Sequence, residues 1–335
     1  MITSNRQKKD LFIYLEKLRK KNLLDSTEYL EEVLLSKNFI IFAGRGPSTG
    51  DLHLGHIVDL IILKKISRIL KTKIFFQCAD DEKIWQGKMK DQNTSKNLKK
   101  NLEFFGFKKT DILFFQDTKN YRQLCQKILE TKILEQFRLR DLLAIFDKES
   151  LLNKNIGSVL YPLFQILPCF LFSNIIVICS RDQYAYFKVA RDIISRLKLK
   201  NIVCLIIHRS IMALNGNLKM TASDSRSSQL LLNQPLNISW KKIKKAYSGG
   251  GLTIDDHKNK KINPLVDVTL SYLKIFTEIK YFDTIEKRYC QGLISSLKIK
   301  KIFFKIWSQF KLLLTQLKNN FKKNNILPYT NLKAN

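Results

Sequence analysis

The sequence lacks closely spaced cysteines. Its six cysteines are spread over 335 residues, none forms a Cys-X-X-Cys pair, and most lie in apolar runs. This distribution argues against a zinc site and against the disulfide framework of a secreted protein. A protein of a reducing compartment fits best.

Acidic residues are also scarce. The chain carries 29 Asp and Glu against 59 Lys and Arg, which gives a formal net charge of +30 and a pI near 9.9. This excess excludes an ordinary acidic enzyme and points to a polyanionic partner, either nucleic acid or an anionic membrane. The alternative explanation of the excess is compositional drift, because the chain is rich in Lys, Ile, Asn and Phe. Hydrophobic residues make up 45%, which is typical of a globular protein of one large or two ordinary domains.

The chain shows no secretory signal, because residues 1–10 are polar and no apolar segment follows them. We therefore expect a cytoplasmic protein, with targeting to an organelle or a relict compartment as the alternative. Residues 155–180 carry no charge, but Pro162 and Pro168 interrupt them. This pattern predicts a buried helix, a break and a buried strand at 175–179 rather than a membrane span, so no membrane partner is expected.

Short apolar runs alternate with helical patterns along the first two thirds of the chain. Such runs are typical of strands buried on both faces of a sheet. Their alternation with helices predicts an α/β protein with a parallel sheet and right-handed crossovers. After residue 236 the pattern becomes helical and basic. The predicted strands are 38–42, 73–78, 175–179 and 202–207, and the predicted helices are 6–37, 53–70, 93–105 and 121–145.

A glycine-rich loop, GRGPSTGDLHLGH at residues 44–56, follows the first predicted strand and leads into a helix. Backbone N–H groups and the dipole at a helix start favour an anion. His53 and His56 share one face of the first turn, where their imidazoles can donate hydrogen bonds to phosphate. The loop has neither the ending of a P-loop nor the spacing of a dinucleotide-binding fingerprint. A turn with two incidental histidines is the alternative, but two of the chain's four histidines lie here.

A second signal is KMTAS at residues 219–223, shortly after the last predicted strand. Lys219 lies among small hydroxyl residues and can place a mobile positive charge beside a phosphate. Alone, this motif is weak evidence, because a lysine with a serine four residues later occurs by chance in any lysine-rich chain. In this order and separation from the loop at 44–56, the pair of motifs is specific.

Together, HLGH and KMTAS resemble the paired signatures of a class I aminoacyl-tRNA synthetase. GRGPS at 44–48, QCADDEK at 77–83, CSRDQYAYFKVARD at 179–192 and AYSGG at 246–250 narrow the resemblance to tryptophanyl-tRNA synthetases of the eukaryotic and archaeal type. The resemblance extends from about residue 38 to the C-terminus. It implies a class I Rossmann-like parallel-sheet catalytic domain with a C-terminal all-helical domain.

The resemblance divides the chain into three expected parts. They are a short helical N-terminal segment (1–37), a Rossmann-like catalytic domain (38–235) with a helical insertion at about 85–172, and a helical anticodon-binding domain (236–335). The implied reaction activates L-tryptophan with ATP and transfers it to tRNA(Trp). Mg²⁺ is expected to enter with the ATP, without a protein cage or assigned metal ligands. A homodimer is expected because family members are homodimers.

The resemblance also implies roles for individual residues. His53, His56 and Lys219 are the expected catalytic residues, stabilising the phosphates of ATP and the departing pyrophosphate. The expected ATP site consists of Gly44, Arg45, Gly46, Ser48, Gly55, Met220, Thr221 and Ser223. The expected tryptophan pocket consists of Phe42, Gln77, Glu82, Gln165, Cys179, Gln183 and Phe187. In that pocket, Gln77 contacts the indole N–H, and Glu82, Gln165 and Gln183 hold the α-amino group.

The chain departs from the family pattern at three positions. Phe42 stands where the family has a tyrosine, Ala79 where it has a threonine and Thr221 where it has a serine. Because Phe42 has no hydroxyl, Gln77 is expected to accept the indole N–H alone or with an ordered water. Two other functions remain open: a synthetase-derived RNA-binding protein without catalysis, against which the intact HLGH and KMTAS argue, and a tyrosine-specific synthetase.

Overall fold

The computed structural model describes residues 3–47, 52–87, 93–108, 110–220, 225–249, 256 and 263–319. In this part of the chain a six-stranded sheet is covered by helices on both faces. The strands are β1 (Leu24–Glu28), β2 (Ile40–Arg45), β3 (Ile74–Cys78), β4 (Ile112–Gln116), β5 (Asn174–Ser180) and β6 (Ile202–His208). The helices are α1 (Asn5–Lys20), α2 (Leu30–Leu35), α3 (Leu54–Leu70), α4 (Asp80–Trp85), α5 (Asn93–Phe104), α6 (Asp117–Glu130), α7 (Ile133–Gln136), α8 (Leu139–Ile145), α9 (Lys148–Leu152), α10 (Ile156–Ile166), α11 (Pro168–Leu171), α12 (Tyr184–Arg196), α13 (Leu236–Lys245), α14 (Val268–Phe276), α15 (Ile279–Cys290) and α16 (Ser296–Asn319).

The strands lie side by side in the order β1-β6-β5-β2-β3-β4. Strands β2 to β6 run parallel, and β1 pairs antiparallel with β6. All four strands predicted from apolar runs are present, and they form the centre of the sheet. The predicted class, a Rossmann-like parallel sheet followed by a helical C-terminal part, is therefore confirmed.

Apolar side chains of the central strands alternate between two cores, as the two-residue period of a strand requires. Ile41 and Ile176 pack into the core that contains α1, α3 and the C-terminal helices. Phe42 and Val177, one residue further along their strands, pack into the core that contains α6, α10 and α12. Burial on both faces explains why these strands are continuous apolar runs.

The uncharged stretch at 155–180 folds as predicted, into a buried helix, a break and a buried strand. Asn155 caps the start of α10 by accepting a hydrogen bond from Ser158 N. Pro168 then begins the short helix α11, and β5 follows at Asn174–Ser180. In the described part of the chain, no helix combines the length and the apolar character that crossing a membrane requires.

Two strands do not follow from the sequence patterns. Strand β1 has the sequence LDSTE and lies in the segment 1–37, for which a helix is predicted. It forms because an edge strand needs only one buried face, here Leu24, and its backbone is paired with β6. Strand β4 lies in the predicted helical insertion at about 85–172 and extends the sheet beyond β3. The helix predicted at 121–145 is divided into α6, α7 and α8.

The C-terminal helices pack directly against the sheet-containing part. Tyr272 Oη donates a hydrogen bond to Met212 O at 2.6 Å, and Lys242 Nζ donates to Gln229 O at 2.9 Å. Lys311 Nζ bonds to Gln234 O in the same way. Burial lowers the pKa of Lys242 and Lys311, with Arg226 adding to the effect at Lys242. These contacts make one continuous core, so a chain cut near residue 235 would expose a large apolar surface.

Lys64 gives the fold a pH dependence that can be measured. It lies on α3, donates a hydrogen bond to Phe105 O, and is 5.2 Å from the centre of the Phe107 ring. Burial lowers its pKa to about 7, aided by Arg68 and opposed by Asp111. Between that pKa and the ordinary value near 10.5, the unfolded chain binds more protons than the folded one, so the free energy of unfolding rises with pH.

We expect the free energy of unfolding of the wild type to rise relative to that of Lys64→Met by about 2 kcal/mol between about pH 7 and pH 9. Below about pH 7 the difference should be constant. Denaturant unfolding at a series of pH values measures it. Lys65→Met, at an exposed neighbouring position, is the matched control and should give no such slope. A difference that does not vary with pH would contradict the assignment.

Candidate active site

The fold opens a cleft between the carboxyl ends of β2 and β5. From β2 the chain continues to β3 and β4 on one side, whereas β5 and β6 lie on the other. This reversal of strand order creates the crevice in which open α/β sheets bind ligands. The cleft has a volume of about 1070 Å³. Its lining includes all of the described residues predicted for the site: Phe42, Gly44, Arg45, Gly46, His53, Gly55, His56, Gln77, Glu82, Gln165, Cys179, Gln183, Phe187, Lys219 and Met220.

The two histidines of HLGH lie together at the start of α3. His53 is the N-cap, and its ring stacks on that of His56 with the ring centres 3.4 Å apart. Burial lowers the pKa of His56 well below its ordinary value, and Arg45, His53, Lys219 and Lys83 add to the effect. His56 is therefore neutral at physiological pH and presents one N–H donor to a ligand.

Backbone pairing that the sequence does not predict joins the segment of HLGH to residues 230–232, and KMTAS is anchored separately on Ile211. Leu54 N donates to Leu230 O at 3.0 Å, and Leu232 N donates to Leu52 O at 2.8 Å. Met220 N bonds to Ile211 O at 2.7 Å. A Cβ on Gly55 would lie 3.1 Å from the His53 ring and 3.6 Å from Met220 O. A side chain at this position would press on the His53 ring, so glycine suits the point where HLGH and KMTAS approach each other.

The first loop adds a buried positive charge. Burial lowers the pKa of Arg45 to about 10, while Asp59 and Cys78 oppose the shift. Within the described ranges, Arg45 Nε and His56 Nδ1 are buried and have no hydrogen-bond partner. Gly46 is tightly enclosed, because a Cβ there would lie 3.1 Å from Glu82 Oε2 and would require that side chain to shift. Three predicted ATP-site residues, Ser48, Thr221 and Ser223, lie outside the described residues.

Lys219 lies at the edge of the cleft and is bound to an acid that the sequence does not single out. Its Nζ is 2.9 Å from Asp182 Oδ2. Burial raises the pKa of Asp182, but hydrogen bonds from Ser180, Gln183 and Lys219 outweigh that effect and lower it to about 2. Asp182 is therefore a stable carboxylate that holds the ammonium group beside the cleft.

A hydrogen-bonded chain connects this lysine to the predicted α-amino pocket. Gln165 Nε2 donates to Gln183 Oε1 at 2.6 Å, and Gln183 Nε2 donates to Asp182 Oδ2 at 2.8 Å. In the described structure, Gln165 Oε1 is a buried acceptor without a donor, as a site for an ammonium group requires. Glu82, the third predicted residue, has a carboxylate oxygen 3.7 Å from Lys83 Nζ.

The predicted indole pocket is lined by aromatic rings. Phe42 is buried, with ring centres 5.9 Å from Phe187 and 6.2 Å from Phe75. Cys179 is also buried, and burial raises the pKa of its thiol far above the ordinary value. Gln77 Nε2 donates to Asp117 and to Phe164 O. This leaves Gln77 Oε1 as the amide's acceptor for a ligand.

Two sets of polar side chains in this region have no role assigned from the sequence. Asp59, one turn after His56 on α3, has its Oδ1 3.3 Å from His208 Nε2 at the end of β6, and both line the cleft. Behind Gln77 lie the buried carboxyl groups of Asp80, Asp81 and Asp117. The sequence gives these three acids no distinctive signal, since Asp is common at helix starts for capping alone.

A parallel sheet with its cleft at the strand reversal, two stacked histidines at a helix start and a facing lysine define the catalytic domain of a class I synthetase. A family model described as tRNA synthetases class I (W and Y) matches residues 35–310. The chain therefore belongs to this family of class I tRNA synthetases. The fold and the enzyme class predicted from the motifs are confirmed.

Similar proteins narrow the family to its tryptophanyl type. A cytoplasmic tryptophan–tRNA ligase of Schizosaccharomyces pombe is 30% identical over 294 residues, 82% of this chain and 73% of the relative. That of Dictyostelium discoideum is 29% identical over 310 residues, 85% of this chain and 75% of the relative. These relatives confirm the predicted resemblance.

A solved tryptophanyl-tRNA synthetase from Encephalitozoon cuniculi, bound to tryptophan, has the same fold. It superimposes with a TM-score of 0.75 at 24% identity and covers 96% of this chain and 91% of its own. At that identity the likeness concerns the fold alone. The roles of individual residues therefore have to be argued from the arrangement of the side chains in this chain.

Proposed function

We propose that this chain activates L-tryptophan with ATP and transfers the activated amino acid to tRNA(Trp). The observation that carries the proposal is the meeting of HLGH and Lys219 in one cleft that also contains the paired amides of Gln165 and Gln183. Phosphate-binding donors and an ammonium-binding acceptor then face the same space. That arrangement suits the joining of an amino acid carboxylate to a nucleotide.

Phosphate binding is assigned to the donors of the first loop and of α3. The neutral ring of His56, the Arg45 guanidinium and the helix start supply N–H groups for an anion without a large reorganisation. Gly44, Gly46, Gly55 and Met220 form the surrounding wall, and Ser48, Thr221 and Ser223 belong to the same proposed site. Among the described residues, no group of three or more His, Cys, Asp or Glu side chains could hold a metal ion. Mg²⁺ is expected to enter with ATP, bound by phosphate and water, as it commonly is in proteins that use ATP.

Catalysis in this proposal consists of positioning and charge stabilisation. The tryptophan carboxylate is ionised at neutral pH and attacks the α-phosphate, so no protein base or nucleophile is required. Lys219 stabilises the negative charge that develops on the pyrophosphate as it departs. Gln165, Gln183 and Glu82 hold the α-ammonium group, while Phe42, Phe187 and Cys179 surround the indole and Gln77 accepts its N–H.

Transfer to tRNA gives the chain's positive charge a partner. Lys298, Lys301 and Lys305 are exposed on α16, and their spacing places them on one face of the helix. A face of this kind binds phosphates and makes the affinity strongly dependent on salt. The segment from residue 236 is assigned to the anticodon arm.

Replacing these three lysines by glutamine in the full chain should raise the KM for tRNA about tenfold or more and reduce its salt dependence. ATP–pyrophosphate exchange, which requires no tRNA, should be unchanged. Aminoacylation kinetics at several salt concentrations measure the effect. The matched control replaces Lys9, Lys17 and Lys20, exposed on α1, and removes the same charge. Equal losses in both triple variants would count against a specific tRNA face.

We also propose a homodimer, with the segment 129–160 at the interface. Leu139, Leu152 and Ile156 are each more than 70% exposed. They lie on the successive helices α8, α9 and α10, and exposed apolar residues that together form one patch mark an interaction surface. Light scattering should give twice the chain mass for the wild type and the monomer mass for Leu139→Asp/Ile156→Asp. Leu265→Asp, at an equally apolar exposed position elsewhere, should remain dimeric. A monomeric wild type at micromolar concentration would contradict the proposal.

The proposed location is the cytoplasm, where the named relatives from fission yeast and Dictyostelium are placed. The proposed reaction is tested by charging a tRNA(Trp) transcript with labelled tryptophan in the presence of ATP and Mg²⁺. Ester-linked tryptophan on the tRNA is the expected product. Binding of the tRNA without charging would support an RNA-binding protein that has lost catalysis.

A further inference from the structure

A group of buried carboxyls lies behind the tryptophan pocket and has no part in the proposed chemistry. Asp80 and Asp81 begin α4 after β3, and Asp117 begins α6 after β4. Strands β3 and β4 are parallel neighbours, so their carboxyl ends bring these residues together. All three side chains are fully buried. Burying carboxyls is costly unless they are paired or hydrogen-bonded, so their contacts indicate what they do.

Asp117 bonds to the amide that is proposed to contact the indole. Gln77 Nε2 lies 3.0 Å from Asp117 Oδ1 and 2.9 Å from Oδ2, and 3.1 Å from Phe164 O. An amide nitrogen carries two hydrogens. One is therefore directed to the Asp117 carboxyl and the other to the carbonyl, so Gln77 has no N–H left for a ligand.

These contacts determine which end of the amide is available to a ligand. With the amide reversed, Gln77 Oε1 would lie against Phe164 O, a carbonyl that can only accept and therefore repels another acceptor. In the observed orientation, Oε1 is the atom left for the cleft that Gln77 lines. An acceptor there matches the single N–H donor of an indole.

The surrounding acids support this geometry. Burial raises the pKa of Asp81 to about 7, and burial together with the charge of Asp81 raises the pKa of Asp117 well above its ordinary value. Two buried carboxyls this close to each other do not both ionise readily. Asp80 is bound differently, because it accepts hydrogen bonds from Gln116 Nε2 at 2.6 Å and Thr118 N at 3.0 Å.

We propose that Asp117 is a positioning residue that fixes the orientation of the Gln77 amide and thereby determines specificity for the indole N–H. The inference rests on the proposed function, because it takes Gln77 as the group that accepts the indole. Its effect is on the choice of substrate. Asp117 itself touches neither substrate nor ATP in this account.

Substrate discrimination tests the role. Benzothienylalanine has the shape of tryptophan with sulfur in place of the N–H group. The wild type should prefer tryptophan about tenfold, as expected for one hydrogen bond to a buried acceptor, measured as kcat/KM in ATP–pyrophosphate exchange. In Asp117→Leu the amide is free to turn, and the preference should fall to about twofold or less. Asp117→Asn can still accept a hydrogen bond from Gln77 through its amide oxygen, so it should keep the preference.

Two further variants separate positioning from general damage. Asp80→Asn disturbs the same buried group without contacting Gln77, so it should change the melting temperature and leave the preference intact. In a Gln77→Ala background, Asp117→Leu should not change the preference further. If Asp117→Leu fails to fold, the double variant Asp81→Asn/Asp117→Leu gives the same test, because it also removes the charge of the buried Asp81 carboxyl.

The outcomes distinguish this inference from the proposed function. A wild type that activates tryptophan with the expected preference, together with an unchanged preference in Asp117→Leu, overturns the role of Asp117 alone. An equal loss of preference in Asp80→Asn also overturns it, because the effect would then belong to the whole buried group. A wild type that does not activate tryptophan overturns the proposed function, and with it the basis for the inference.

Discussion

Lys219→Ala should reduce the rate of adenylate formation by about 10²–10³-fold, the usual loss for one electrostatic contact in a transition state. The affinity for tryptophan should be nearly unchanged, because the lysine acts on charge that develops only as pyrophosphate departs. ATP–pyrophosphate exchange measures the rate, and titration calorimetry measures tryptophan binding.

The matched control is Lys200→Ala, at an exposed position remote in sequence from KMTAS. It removes the same charge from the chain and should leave exchange unaltered. Lys219 is already held by Asp182 at the edge of the cleft. An exchange rate preserved in Lys219→Ala would mean that KMTAS matches its family motif without serving the same step.

Gln77→Ala should weaken tryptophan use severely, because the pocket then has no acceptor for the indole N–H. Leaving such a donor buried without a partner costs about 1–3 kcal/mol, or roughly 5- to 150-fold in binding. The family tyrosine that would offer a second oxygen is replaced by Phe42, which is packed against Phe75 and Phe187. Tryptophan affinity, measured by calorimetry, gives the result.

Phe42→Tyr is the reciprocal change and restores the family's hydroxyl. Tryptophan binding should tighten by about 0.5–1.5 kcal/mol, the net contribution of one hydrogen bond. If the aromatic pocket has repacked around Phe42, the added hydroxyl lacks a partner and binding weakens. Weaker binding in Phe42→Tyr together with a near-neutral Gln77→Ala would show that the indole is recognised by another route.

The sheet and the position of the cleft are predictable from the sequence because their signals are local. Continuous apolar runs at 38–42 and 175–179 indicate buried strands, and the glycine-rich loop with His53 and His56 indicates the helix start. The resemblance to the family then added residues such as Gln165 and Gln183, which the structure brings within hydrogen-bonding distance.

What the sequence could not predict depends on contacts between distant segments. Strand β1 has only one buried residue and exists because β6 offers an edge. Asp117 and Gln77 are 40 residues apart and meet only because β3 and β4 are neighbours. The same holds for Asp59 and His208, which lie on different elements. No periodicity within one segment carries such information.

The most direct test of the account is ATP–pyrophosphate exchange by the full chain with each of the twenty amino acids in turn. Exchange should depend on L-tryptophan and be strongest with it. Exchange with tyrosine alone would contradict the assignment of the pocket around Gln77. No exchange with any amino acid would contradict the assignment of HLGH and KMTAS as a working catalytic site.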